Sequence, residues 1–130
     1  MEEQLRAILL ASSGVTSLAP ANRINWGVHP QGAGLPALVL NVVSDAEGLH
    51  LKGRDGLFEG RVQVDCYAAT YGAAKLLSRA VRGVLHSYRG NGFRLIEEDG
   101  GADHGREGGT NEAERPFRVR IDFTFAWRET

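Results

Sequence analysis

The sequence predicts an α+β fold: a mainly antiparallel sheet packed against one long helix, plus a short N-terminal helix and a long acidic hairpin loop. Three observations carry this expectation. The stretch Phe117–Arg128 alternates, with Phe117, Val119, Ile121, Phe123, Phe125 and Trp127 on one parity. Arg118, Arg120, Asp122, Thr124 and Arg128 take the other, and Ala126 is the only apolar residue among them. Successive strand side chains point to opposite faces, so this is a central strand, apolar on one side and wet on the other. Each buried aromatic on it removes roughly 150–250 Å² from water. The second observation is residues 71–89, where Ala74, Leu77, Val81, Val84, Leu85 and Tyr88 recur at helical steps. The third is order: long strands are joined by loops, and only one connection between them is helical.

Bulk properties bound the rest. At 130 residues, with 42% hydrophobic and 24% charged, residues 1–130 are expected to form one domain with a sizeable core. A net charge of −1 supplies no global field for nucleic acid or an anionic membrane. No apolar run approaches the 18–20 residues of a membrane span. The start, Met-Glu-Glu-Gln, is acidic where a signal peptide is basic, so synthesis in a reducing cytoplasm is expected. Cys66 is the only cysteine, which leaves no internal disulfide and no thiolate metal cluster.

Residues 2–12 read as a short helix, with Leu5, Ile8 and Leu9 on one stripe and Glu2 and Glu3 at its positive N-terminal end. Gly14 is expected to stop it, and Val15 and Leu18 to tuck onto the core. Residues 23–26 read as a short extended piece. Residues 29–36, His-Pro-Gln-Gly-Ala-Gly-Leu-Pro, are punctuated as a loop. Residues 37–44 follow as an almost continuously apolar strand, suited to burial on both faces or to one face against a neighbouring subunit. Residues 45–56 are polar and glycine-bearing, a turn or hairpin loop. Residues 57–69 form the next strand, with Val62, Val64 and Cys66 alternating against Arg61, Gln63, Asp65 and Tyr67.

Thr70 is placed to cap the long helix. Its other face takes Lys75, Ser78, Arg79, Arg82 and His86. Gly90 and Gly92 are expected to end it, and a strand starts at Phe93. Residues 97–115 contrast with everything else. They hold Glu97, Glu98, Asp99, Asp103, Glu107, Glu112 and Glu114 against Arg106 and Arg115, with five glycines. Such a composition buries too little surface to offset the entropy of ordering, so a flexible acidic glycine-rich loop is expected over 97–115.

Arg61-Val62-Gln63-Val64-Asp65 echoes Arg118-Val119-Arg120-Ile121-Asp122. Antiparallel pairing that sets Arg61 against Asp122, Gln63 against Arg120 and Asp65 against Arg118 would oppose unlike charges, each favourable by roughly 0.2–1 kcal/mol.

Candidates for chemistry are few. His29, His50, His86 and His104 are scattered, without His-x-His or His-x-x-x-His spacing. Cys66 sits at a core-facing position, where cysteine behaves as a small hydrophobe. Asp99-Gly-Gly-Ala-Asp103 lacks the ligand spacing of a calcium loop, and no Gly-Lys-Ser/Thr phosphate cradle is present. Arg79, Arg82, Arg89 and Arg94 form a modest basic group around the helix end, read as a solvated face. No catalytic residue, cofactor or metal is expected, and the chain reads as a non-enzyme.

An N-terminal helix, an Arg23-x-x-Trp26 piece, the loop from Pro30 to Pro36 entering an apolar strand, and Arg-Val-Gln-Val-Asp-Cys-Tyr-Ala at 61–68 running straight into an amphipathic helix follow in order. Together they resemble the small tail-completion, or tail-terminator, proteins of long-tailed phages and of phage-derived gene transfer agents. The resemblance spans nearly the whole chain, the acidic loop excepted. It implies structural work: a hexameric ring on the tail tube, which stops tube polymerisation and offers a surface to the head-side connector, while DNA passes through the bore. It implies a place at the head–tail junction of a particle made in the bacterial cytoplasm, and no catalytic residues. Ring contacts use two unlike patches. Those expected are Pro30, Leu35, Pro36, Leu38, Leu40 and Val42 on one side, with Arg79 and Arg82 on the other. Asp99, Asp103, Glu107, Glu112 and Glu114 are expected at the bore or against a neighbouring ring. The alternative reading is a monomeric binding module that grips a basic protein through its acidic loop.

Overall fold

Alternation in the last strand decides which face of the sheet is buried. Val119, Ile121, Phe123 and Phe125 are at most 4% exposed, whereas Arg118, Arg120, Asp122 and Thr124 between them are half-buried. The structure, a computed structural model, describes residues 1–27, 34–47, 57–106 and 116–128. Its elements run α1 (Glu2–Leu10), α2 (Ser13–Thr16), a 3-10 turn (Ala21–Arg23), β1 (Ile24–Trp26), β2 (Ala37–Glu47), β3 (Leu57–Ala68), α3 (Tyr71–Leu85), β4 (Tyr88–Gly90), β5 (Phe93–Arg106) and β6 (Phe117–Arg128). The fold is α+β, as the pattern predicts. Six strands lie in the order β1-β2-β3-β6-β5-β4, with β1 parallel to β2 and all other neighbours antiparallel.

The stripe on α3 packs across β3, β6 and β5, burying Ala74, Leu77, Val81 and Leu85. Thr70 caps the helix by accepting a hydrogen bond from the Ala73 amide at 3.2 Å. Ser78, expected on the wet face, is fully buried and donates to the Lys75 carbonyl at 2.8 Å, so its hydroxyl keeps a partner. At the N-terminus, Leu5, Ile8 and Leu9 pack inward. Gly14 does not end α1: Ser12 accepts from the Val15 amide and starts α2, which carries the chain past Gly14.

The two residues of the Arg-x-x-Trp piece prove to be clamps. Arg23 donates to the Leu35 carbonyl at 3.0 Å, tying the 3-10 turn to the lead-in of β2. Trp26 donates its indole N–H to the Glu2 carbonyl at 3.1 Å, holding α1 to β1.

Three boundaries differ from expectation. The long helix stops at Leu85, and Ser87 turns the chain with φ +64° into β4. Gly90 and Gly92 therefore belong to a β4–β5 hairpin, not to a helix end. Gly90 pairs with Phe93, and the two loop residues Asn91 and Gly92 have φ of 50° and 91°. Positive φ at both positions is the hairpin geometry that Asn-Gly favours. The third difference lies in the acidic segment. Residues 97–106 are not loop: β5 stays paired with β6 out to Arg106↔Phe117. A ladder needs backbone partners, not apolar side chains, and bulges absorb the awkward residues. One bulge falls between Glu98 and Gly101, where a Cβ on Gly101 would overlap the Arg120 carbonyl oxygen. Residues 107–115 lie outside the described residues.

The echoing strands β3 and β6 are neighbours, but the register is two residues from the expected one. Asp65 opposes Arg120, Gln63 opposes Asp122 and Arg61 opposes Thr124. A two-residue shift keeps parity, so Val62, Val64, Val119 and Ile121 still share the core face.

Candidate assembly surfaces

The charged parity of β3 and β6 is largely self-paired. Asp65, 3% exposed, takes a hydrogen bond from Arg118 Nε at 2.8 Å and another from the Gln63 amide at 3.1 Å. Arg120 Nε approaches Asp122 Oδ1 at 3.7 Å. Arg61 forms an ion pair with Asp99, which reaches it from β5 across β6. Asp99, expected at a bore or neighbouring ring, is thus held by its own subunit on an exposed pair. Internal pairing of this kind leaves few charges on this face for a partner.

On β2 the parity excludes part of the expected contact. Leu38 and Leu40 are 0% exposed and sit in the subunit's own core against Cys66 and Val64, so neither side chain is available to a neighbour. The nearly continuous apolar run hides this, because Val39 and Val43 make the other parity of 38–43 largely apolar too, with Asn41 its one polar residue. Val43, by contrast, is 56% exposed, at the register shift between Val42 and Ser44. Leu35, Pro36 and Val42 are half-buried, and Pro30 lies outside the described residues.

The outer face of α3 is the other candidate. Tyr71 and Leu76 are 45% and 55% exposed, and Arg79 is exposed between the open glycines Gly72 and Gly83. Lys75 Nζ stands 5.8 Å from the centroid of the Tyr71 ring, and Tyr71 meets Phe117 edge-on at 6.2 Å. Arg82 is engaged internally, bonding Glu98 at 3.1 Å. His86, at the helix end, accepts the Glu98 amide on Nδ1 at 3.1 Å and so closes the β5 edge beyond β4. Sequence reasoning missed that role. Of the remaining expected acidic contacts, Asp103 lies in β5, while Glu107, Glu112 and Glu114 lie outside the described residues.

Catalytic geometry does not assemble among the described residues. A groove of about 190 Å³ is lined by Glu59, Leu95, Glu97, Thr124, Phe125 and Ala126, below the roughly 300–1,000 Å³ of ligand sites. It brings two glutamates together with no cation and no histidine. Cys66 is fully buried; burial pushes its thiol up, and the neighbouring Asp65 carboxylate adds to the rise, so the thiolate form is suppressed. No group of three His, Cys, Asp or Glu among the described residues is placed to hold a metal. No helix among them is long and apolar enough to cross a membrane.

The family described as tail completion protein gp17 matches residues 3–127. No curated protein matches the sequence significantly. A chain of the solved structure "Virion of native gene transfer agent (GTA) particle" superimposes with a TM-score of 0.65 at 17% identity, covering 98% of this chain and 92% of that one. At that identity the likeness is one of fold.

Proposed function

Because the chain belongs to the tail completion protein gp17 family, we propose that it forms a ring that caps a phage-type tail tube and joins it to the head-side connector. Membership makes the coarse role structural, tail completion in a phage-like particle, and agrees with the resemblance carried by Arg23, Trp26 and the 61–68 stretch. The family match over residues 3–127 is the observation that carries the reading. The finer geometry follows from surface chemistry. Among the described residues, the exposed large hydrophobics are Val43 on β2 and Tyr71 and Leu76 on α3. Those elements lie apart, since α3 packs across β3, β6 and β5 while β2 lies beyond β3. Two unlike patches on one subunit suit a heterologous contact, the kind that closes into rings.

In this reading, Val43 with Val42, Leu35 and Pro36 meets the Tyr71, Leu76 and Arg79 face of the next copy. A hexamer is the expected stoichiometry. Tail tube and connector bind its two ends, and DNA passes without sequence-specific contact. Acidic residues of the 97–115 segment that reach the bore repel phosphates and keep transit from sticking. The fold of a gene transfer agent virion chain extends the proposal to such particles.

Electron microscopy of particles from a producer lacking this gene tests it. Filled heads separated from tails of irregular length are expected. Normal particles would overturn the reading and favour a monomeric binding module.

A further inference from the structure

We infer that the groove between Glu59 and Glu97, on the sheet face turned away from α3, receives the guanidinium of Arg79 from the next copy in the ring. The inference rests on the ring reading above. It gives that apolar contact one charged, directional element.

Pairing across β6 assembles the groove. Glu59 and Leu95 both stand opposite Ala126, from β3 and β5, while Arg61 and Glu97 stand opposite Thr124. Thr124 and Ala126 carry the parity opposite to Phe123 and Phe125, which belong to the core that α3 covers, so the groove opens on the other face. Its volume of about 190 Å³ is smaller than a ligand site and suits a single side chain. Both glutamates are exposed, and neither makes an ion pair or side-chain hydrogen bond among the described residues. Asp65, Glu98, Asp99 and Asp122 by contrast each face an arginine. Arg61, across Thr124 from Glu97, is taken by Asp99. Two carboxylates flanking one gap are best satisfied by a planar fork of donors, which arginine supplies.

The chain offers such a cation on the opposite side of the molecule. Arg79 is exposed on α3 and makes no ion pair or side-chain hydrogen bond among the described residues. The sheet stands between Arg79 and the groove of its own subunit, since α3 packs on the Phe123 side. Arg89 and Arg94 are exposed too, but they flank the β4–β5 hairpin. Arg79 instead lies one helical turn from the exposed Leu76, about 4.5 Å along the axis. The other half of the ring contact, Val43, precedes Ser44, which pairs with Arg61, which in turn pairs with Thr124 in the groove. Val43 and the groove floor are thus two strand spacings apart, roughly 10 Å. A helix that seats Leu76 against Val43 carries the Arg79 backbone part of that way, and the long side chain spans the remainder. Gly83, one turn beyond Arg79, has open space where a Cβ would stand, so nothing crowds the arginine on that side. Cation and carboxylates on opposite faces of one subunit meet only between copies. Each copy gives its helix to one neighbour and its groove to the other, a heterologous contact that closes around a rotation.

Complementation of the producer lacking the gene tests this. Four alleles are compared: wild type, Arg79→Glu, Glu59→Lys with Glu97→Lys, and all three reversals together. Joined particles are expected from the wild type, loss from either one-sided reversal, and recovery from the combination. Wild-type yields from either one-sided reversal would overturn the inference while leaving tail completion intact. So would a combination that melts like the wild type yet restores nothing, which would assign the groove to a cation of another protein. Normal particles from the strain without the gene would instead sink the tail-completion reading. A paired-cysteine variant, R79C with E97C, expressed beside the wild-type gene so that particles form, gives a second readout. The native Cys66 is buried, so a short bismaleimide reports the introduced pair. Covalent dimers and larger multimers are expected in those particles, and monomer alone would contradict the contact.

Discussion

Asp65 shows how burial sets the worth of a charge in this protein. It is 3% exposed and holds both Arg118 and Gln63. Asp65→Ala leaves Arg118 beside an empty site and is expected to cost about 2–3 kcal/mol in denaturant unfolding. Arg61→Ala removes a pair whose partners are 36% and 50% exposed, and is expected to stay within about 1 kcal/mol. Equal losses from the two would contradict this ranking. Cys66, one residue from Asp65, makes a pH-dependent prediction. Its folded pKa is raised above the free value of 9.0 by burial first and Asp65 second. Below that free value both states hold the proton and the thiol contributes no slope. Above it the unfolded chain releases a proton that the folded chain keeps, so stability falls by about 1.4 kcal/mol per pH unit. Cys66→Ala removes that component of the alkaline slope. In the folded wild type, a thiol reagent should label Cys66 only as fast as the protein opens.

At the scale of elements, the β4–β5 hairpin depends on Gly92. Its φ is +91°, and a Cβ there would overlap Trp127 Nε1, whose ring also packs on Phe58 at 6.1 Å. Gly92→Ala therefore strains the turn and displaces the indole, an expected loss of about 1–3 kcal/mol accompanied by a change in tryptophan emission. An unchanged emission would mean the indole is not seated on the turn.

The Asn91-Gly92 dipeptide that sets this hairpin is legible in the sequence, but Tyr88 continues the helical stripe one step past Leu85 and masks the helix end. Alternation in β3 and β6 revealed strand identity and buried face, since parity fixes both. Charge matching could not fix register: a slip of two residues preserves parity and still leaves Asp65 opposite an arginine. Nor could composition reveal that residues 97–106 stay in the ladder, because the backbone pairing that holds them leaves no apolar trace. Helical spacing does declare that Arg79 lies on the outer face of α3, where it is exposed. The burial of Leu38 and Leu40 is not legible, because an apolar run does not declare which parity points inward.

At the scale of the whole molecule, one separation matters. Among the described residues, exposed large apolar side chains occur on β2, at Val43, and on α3, at Tyr71 and Leu76. The two patches lie on elements that are not neighbours in the subunit. The ring proposed above would use both patches, and a particle would offer one such position. Gold labelling of an epitope tag on this chain in intact particles tests that claim most directly. The account predicts a single cluster of label between head and tail. Label along the tail, at its distal end, or absent from particles would contradict it.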